Sequence, residues 1–131
     1  MSNSANKEDA LAQLLSQIGN APDTVAFNQV LDVINAHFEY TPTRFISGED
    51  PNQRINEAGT NEISCKLFAF AQLQKLDKDQ TLNCFGDYYR VDVLQNPEGS
   101  DHGNIRNFER SGWTGIKFDG EPLKVKSSDL K

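Results

Sequence analysis

Apolar residues recur at helical spacing along much of the 131-residue chain, and the pattern begins near the N-terminus. The first apolar face consists of Leu11, Leu14, Leu15 and Ile18. The second face consists of Phe27, Val30, Leu31, Ile34 and Phe38. Asn6 is predicted to cap the first helix, Gly19 to end it and Pro22 to open the second. The short connection between them predicts an antiparallel pair of helices.

Residues 61–76 are predicted to form a helix buried at the centre of the domain, with Thr60 or Asn61 as its cap. Apolar residues occupy nearly every side of this segment, as they do in a helix that other elements surround. They are Ile63, Cys65, Leu67, Phe68, Ala69, Phe70, Ala71, Leu73 and Leu76. The longest uninterrupted apolar run of the chain, residues 67–71, is far too short to span a membrane.

Two further helices are predicted in the second half of the chain. Asp77 and Gln80 have the spacing of a capping box for a fourth helix, which would continue to Val93. Gly86 lies inside that helix and lowers its stability by about 1 kcal/mol relative to alanine, so a kink or close packing is expected there. A fifth helix is predicted over residues 101–112, with Gly112 at its end.

Strand signals are short and lie between the helices. Residues 40–46 have an alternating pattern rich in β-branched and aromatic side chains. This pattern predicts an extended segment or an edge strand. Residues 116–123 contain an Asp-Gly pair between two segments in which apolar and polar residues alternate. This arrangement predicts a β-hairpin. Residues 47–60 predict a polar loop whose length is typical of functional loops. The predicted fold class is α+β and predominantly helical, with about five helices around the buried helix 61–76 and a small antiparallel β element near the C-terminus.

Charge narrows the range of partners without assigning a function. Thirteen basic and nineteen acidic residues give a net charge of −6, which argues against nucleic acid and against an anionic membrane surface. Residues 1–40 carry five acidic residues and one basic residue. This charge either keeps a helical face soluble or attracts a basic partner. The N-terminal sequence MSNSANKED has no apolar core, so no cleavable secretory signal is expected.

Cys65, His102 and Asn104 form the candidate catalytic group. Thiol hydrolases use a cysteine nucleophile, a histidine that transfers the proton and an amide that orients the imidazole ring. A thiol near a helix start and next to Lys66 is expected to have a lowered pKa. The alternative is structural: Cys65 fills a gap in the core, and Asp101 or His102 caps a helix.

A second candidate group would bind a ligand and consists of Asn61, Tyr88, Arg90 and Arg106. The two arginines would bind an anionic group on that ligand. The alternative is that each guanidinium makes fixed hydrogen bonds within the fold.

Metal and disulfide sites are not predicted. Cys65 and Cys84 are expected to be buried, reduced thiols, although a disulfide would form if their helices lay side by side. No Cys/His spacing typical of zinc sites occurs. His37, His102 and the acidic residues near position 50 or 101 lack helical metal-ligand spacing, so neither a metal nor a cofactor is expected.

Several short motifs occur in a distinctive order along the chain. They are Phe38-Glu-Tyr-Thr-Pro-Thr-Arg-Phe45, Ala58-Gly-Thr-Asn61, Ser64-Cys-Lys66, Cys84-Phe-Gly-Asp-Tyr-Tyr-Arg90, Asp101-His102, Asn104-Ile-Arg106 and Gly112-Trp113. In this combination the chain resembles the HopJ family of type III effector proteins over roughly residues 8–123. The resemblance brings no catalytic residues with it, so it leaves open whether the protein is an enzyme.

The residue pattern predicts one domain over residues 6–125, between a disordered tail (1–5) and a polar tail (126–131), and the resemblance implies that this domain is HopJ-like. It implies a type III secretion effector-like protein of the bacterial cytoplasm, exported by a type III system and acting on a host or bacterial protein. The alternatives are a cysteine-dependent hydrolase or transferase that uses Cys65 and His102, and a small-ligand binding module. The polar motifs in residues 40–61 and 87–107 are expected to meet at one end of the buried helix and form a shallow pocket.

Overall fold

A computed structural model describes the backbone of residues 3–126 and the side chains from Ala10 onwards. The helices of this part are α1 (Asn3–Asn20), α2 (Phe27–His37), α3 (Glu62–Leu73), α4 (Lys78–Asn83) and α5 (Gly103–Ser111). The strands are β1 (Phe38–Tyr40), β2 (Phe45–Ser47), β3 (Arg54–Asn56), β4 (Lys117–Phe118) and β5 (Leu123–Val125). Two 3-10 turns (Pro22–Thr24 and Gly112–Gly115) and a π-helical stretch, here called the π segment (Tyr88–Val93), complete the architecture. The predicted α+β, helix-dominated class is confirmed.

The centre of the core is α3, as the sequence predicts. Its buried residues are Cys65, Leu67, Phe68, Ala69, Phe70 and Ala71. The Phe68 ring lies 5.2 Å from that of Phe85, 5.1 Å from that of Phe108 and 6.2 Å from that of Phe45. These contacts join α3 to the chain after α4, to α5 and to β2. The helix ends at Leu73, earlier than predicted, because Lys75 adopts a left-handed φ of 59°.

The predicted C-terminal hairpin is wrong. Strands β4 and β5 belong to different antiparallel sheets, one ordered β3-β2-β4 and the other β1-β5. Between them, the Asp119 amide donates to the Arg44 carbonyl and the Thr41 amide donates to the Pro122 carbonyl. The chain around the Asp-Gly pair therefore crosses from one sheet to the other along residues 41–44. The predicted loop 47–60 is also interrupted, because β3 pairs with β2.

Two helix starts differ from the prediction. Asn6 lies inside α1, which begins at Asn3. Pro22 opens the 3-10 turn, and α2 begins only at Phe27, where the Gln29 side chain accepts a hydrogen bond from the Ala26 amide. Proline fits the first position of either helix type, so sequence pattern could not distinguish them.

Gly86 divides the predicted fourth helix into α4 and the π segment. The capping box at Asp77 and Gln80 is confirmed, since the Gln80 amide donates to the Asp77 carboxylate over 2.8 Å. Gly86 then has a φ of +60°, and a Cβ at that position would lie 2.9 Å from the Phe27 nitrogen. The glycine thus allows both the turn and a close approach to α2, two residues before Tyr88.

Residues 1–2 and 127–131 lie outside the described residues, and with them most of the predicted C-terminal tail and part of the predicted N-terminal tail. Within the part that is described, no helix has the length and apolar character required to cross a membrane.

Candidate functional site

A network of polar side chains, here called the asparagine network, joins β2, β3 and the start of α3 to α5, and all of its members are buried except Asn61, which is exposed. It consists of Ser47, Asn56, Asn61, Asn104 and Asn107. Asn104 donates to the Asn56 side-chain oxygen over 2.9 Å and accepts from the Ser47 hydroxyl and the Asn56 amide. Asn61 donates to the same Asn56 oxygen over 2.7 Å. The polar motifs of residues 40–61 and 87–107 do meet at the N-terminal end of α3. Among the described residues, their side chains form hydrogen bonds with one another there and do not line a pocket between the two motifs.

Cys65 lies in the core, with no exposed surface. Its Sγ donates to the Thr43 carbonyl over 3.7 Å. Burial raises the pKa of the Cys65 thiol to about 11, which is opposite to the lowering expected from the helix start. The neighbouring cation does not face the sulfur, because Lys66 Nζ lies over the Tyr40 ring, 5.0 Å from its centroid.

His102 lies at the N-cap position of α5, away from Cys65, and its side chain makes no capping hydrogen bond. Its Nε2 lies 3.0 Å from Asp92 Oδ2, and its ring centroid lies 5.3 Å from that of Tyr88. Among the hydrogen bonds and ion pairs of residues 10–126, none joins His102 to Cys65 or Asn104. A thiol hydrolase that uses these three residues stays a prediction, and the burial of the thiol weighs against it.

Both cysteines are expected to be inert in the folded protein. Burial also raises the pKa of Cys84 to about 12, so almost no thiolate is present at either position at pH 7. Treatment with an aromatic disulfide reagent at pH 7 should label neither free thiol, whereas both should react in guanidinium chloride. Mass spectrometry of digested protein assigns the label to each cysteine. Rapid labelling of Cys65 that His102→Ala slows would instead support the hydrolase.

The two arginines of the candidate ligand group make hydrogen bonds within the fold, as the structural alternative predicts. Arg90 donates through Nη2 to the Val25 carbonyl over 2.6 Å, and through Nη1 to Asn83 over 3.1 Å. Arg106 is buried and donates to the carbonyl oxygens of Asp92, Asn96 and Asp101 and to the Asp101 carboxylate. Its hydrogen bond holds the pKa of the Asp101 carboxyl below its usual value. Both guanidinium groups are occupied, so an anionic ligand would have to compete with these oxygens.

Two neighbouring cavities share Phe27 and Tyr88 as walls, and we call their combined lining the Tyr88 surface. The larger, about 490 Å³, is lined by Thr24, Val25, Ala26, Phe27, Asn28, Asp87, Tyr88, Arg90 and Asp92. The smaller, about 260 Å³, is lined by Phe27, Ile63, Ser64, Phe85, Tyr88, His102 and Ile105. Tyr88 stands between them with its ring edge-on to Phe27, 4.8 Å between centroids.

The Tyr88 surface combines exposed apolar groups with carboxylates. Tyr88 and Ile63 remain 43% and 48% exposed, although the sequence pattern places Ile63 in the buried helix. Asp87 is exposed, and Asp92 faces His102. Two carboxylates and one guanidinium, those of Asp87, Asp92 and Arg90, line the larger cavity, so the formal charge of its lining is negative.

Part of this surface escaped prediction from sequence. Tyr88 is among the candidate ligand residues, but Phe27 and Asp92 are not. A stripe of apolar residues that includes Phe27 predicts core packing, and a single aspartate carries no spacing signal. Gly86 is the one local signal, since a glycine inside a helical pattern marks close packing or a kink, and both occur beside Phe27.

Comparison with protein-family models gives one decisive match. The model described as "HopJ type III effector protein" matches residues 11–123. The chain belongs to the HopJ family. The matched range contains every residue of the Tyr88 surface and of the asparagine network. The resemblance seen in the sequence motifs is therefore confirmed.

A solved structure shares the fold of this HopJ protein. It is the crystal structure of the unknown-function protein VPA0580, which is 43% identical in sequence and superposes with a TM-score of 0.84. The match covers 88% of this chain and 93% of that one. Comparison with curated proteins finds no match.

Proposed function

We propose that this HopJ protein is a type III effector-like protein that acts by binding another protein at the Tyr88 surface. The observation that carries the proposal is the pair of adjacent cavities with Tyr88 exposed between them. Tyrosine is enriched at binding hot spots, because its large, rigid ring buries apolar area and offers a hydroxyl. The exposed Ile63 beside it gives the smaller cavity an apolar rim.

The docking segment of the partner is inferred to be basic and to carry an apolar anchor. Asp87 and Asp92 supply the carboxylates of the larger cavity, and the chain as a whole has a net charge of −6. Such a field accelerates encounter with a basic partner and disfavours an acidic one. A lysine or arginine above the Tyr88 ring would also gain a cation–π interaction.

The small-ligand alternative shares Tyr88 and Arg90 with the larger cavity, but Arg106 does not line it. Arg90 donates to Pro22, Val25 and Asn83, so an anionic ligand in this cavity would have to displace those hydrogen bonds. The carboxylates and the ring suit a cationic group instead, which a protein segment supplies through lysine or arginine.

Production in the bacterial cytoplasm and export by a type III system belong to the same proposal. Support for this part comes from the family description, which is that of type III effector proteins.

Affinity measurements with matched peptides test the docking proposal. One set carries lysine, arginine and a single aromatic residue, and its counterpart carries glutamate in place of each basic residue. We expect the basic set alone to bind, and Tyr88→Ala to weaken that binding by about tenfold or more. Since Tyr88 is partly exposed, circular dichroism should show the variant folded.

Ile55→Ser is the matched control for loss of an exposed apolar side chain. Ile55 is 55% exposed on β3 and lies outside both cavities, so its replacement should leave peptide affinity unchanged. Equal binding of the acidic set, or equal affinity in Tyr88→Ala and the unaltered protein, would contradict the proposal.

A further inference from the structure

Three side chains with metal-ligating atoms converge beside Tyr88. His102 Nε2 lies 3.0 Å from Asp92 Oδ2 and 3.8 Å from Asp101 Oδ2, and all three ligand atoms lie within 4.8 Å of one another. We propose that Asp92, Asp101 and His102 bind a divalent transition-metal ion such as Zn²⁺ or Mn²⁺. This site is separate from the docking role proposed above. Metal binding requires no partner protein, so it can be tested independently of docking.

The distances suit one ion held by all three groups. Zinc binds imidazole nitrogen and carboxylate oxygen at about 2.0–2.2 Å, which places two ligand atoms of one ion roughly 3 Å apart. The His102–Asp92 separation already has that value, and the Asp101 carboxylate needs only a small rotation or shift. One imidazole with two carboxylates is a donor set that suits zinc and manganese.

Arg106 donates hydrogen bonds to two of the three ligand residues, Asp92 and Asp101. Its Nη2 donates to Asp101 Oδ1 over 2.7 Å, so Oδ2 of the same carboxylate is the oxygen that faces His102. Nη2 also donates to the Asp92 carbonyl, and Nε donates to the Asp101 carbonyl. Arg106 is buried, so this support is fixed within the fold. Hydrogen bonds to ligand residues from such neighbours are a regular feature of protein metal sites.

The backbone and the exposure of the group also favour a ligand. His102 adopts a left-handed φ of 53°, which is uncommon outside glycine and recurs at ligand sites. The side chains of His102 and Asp92 are 29% and 42% exposed, so an ion can enter from solvent. Three protein ligands leave coordination positions for water, as in metal sites that are open to solvent.

The chain has two histidines, which makes nuclear magnetic resonance a direct test. Tag-free protein with ¹⁵N-labelled histidine is titrated with zinc chloride. We expect the Nε2 resonance of His102 to shift until the site is full, while the resonances of the buried His37 stay in place. Unmoved His102 resonances in excess zinc, or equal small shifts at both rings, would overturn the proposal.

Calorimetry with zinc chloride separates the three-residue site from binding by one exposed histidine. Asp92→Asn and His102→Asn should each weaken zinc binding by about tenfold or more. Asparagine tolerates the left-handed backbone at position 102, so the second variant should fold. Asp119→Asn removes a carboxylate that pairs with Arg44 elsewhere and should bind zinc as the unaltered protein does. Full zinc affinity in Asp92→Asn would overturn the proposal even if His102 shifts.

Discussion

Replacing Arg106 by methionine is expected to lower the free energy of unfolding by about 2–4 kcal/mol, because several hydrogen bonds from one buried guanidinium are lost. The side chain is buried and donates hydrogen bonds to the Asp92 carbonyl in the π segment, and to two carbonyls and one carboxylate in the turn between that segment and α5. Methionine fills similar volume but donates to none of them, so the carbonyl oxygens around this buried side chain lose their charged donor. Urea denaturation followed by circular dichroism measures the loss.

Arg44→Met is the matched control for this substitution. Arg44 is partly exposed and pairs with Glu57 at 3.7 Å and Asp119 at 3.1 Å. Exposed ion pairs of this kind contribute about 0.2–1 kcal/mol, so the control should lose far less stability. Similar losses in the two variants would mean that Arg106 is no more important to the fold than a surface arginine.

Gly86→Ala is expected to destabilise the protein by about 3 kcal/mol, the second large effect. Alanine at a φ of +60° is strained, and its Cβ would lie 2.9 Å from the Phe27 backbone nitrogen and 3.1 Å from the Phe27 Cβ. Relief requires α2 and the π segment to move apart, which would also displace Tyr88 from Phe27. Thermal and urea unfolding give the stability, and near-ultraviolet circular dichroism follows the tyrosine environment.

Gly19→Ala is the control for replacing a glycine by alanine where the new side chain meets no steric conflict. Gly19 lies within α1, and a Cβ there would meet no atom within 4 Å. Because alanine favours helix, this variant should keep the stability of the unaltered protein or gain up to about 1 kcal/mol. A Gly86→Ala variant as stable as Gly19→Ala would show that the close approach to Phe27 is not required.

The sequence predicted the helices correctly where residues within or next to a helix determine its position and ends. The apolar residues around Phe68 identified the central helix, and the Asp77–Gln80 spacing identified the start of α4. Gly112 ends α5 at a φ of +62°, as its position predicts. Each of these features depends on neighbours within a few residues, so periodicity and capping chemistry are sufficient.

Features set by distant parts of the chain could not be predicted in the same way. The Asp-Gly pair near position 120 has hairpin chemistry, yet hydrogen bonds to Arg44 and Thr41 draw the flanking strands into separate sheets. Cys65 lies near a helix start, but the burial that raises its pKa comes from packing by other elements. The juxtaposition of Asp92 with His102 depends on the turn that Arg106 holds.

Arg90 and Arg106 make hydrogen bonds within the fold, and the other residues predicted for catalysis or ligand binding separate into two groups. Asn61 and Asn104 belong to the asparagine network, and Cys65 belongs to the core. Tyr88 and His102 face solvent beside one another. We infer that the first group holds the N-terminal end of α3 in place. The second group belongs to the Tyr88 surface, which we propose binds the partner protein.

Chemical-shift mapping of the unaltered protein with a basic, aromatic peptide tests the docking proposal most directly. The proposal predicts that the shifted backbone amides cluster in residues 24–28, 63–64, 85–92 and 102–105, the segments that contain the lining residues of the two cavities beside Tyr88. Shifts centred instead on a separate cavity between α3 and β5, which Leu73 and Val125 line and which shares no residue with the other two, would contradict it.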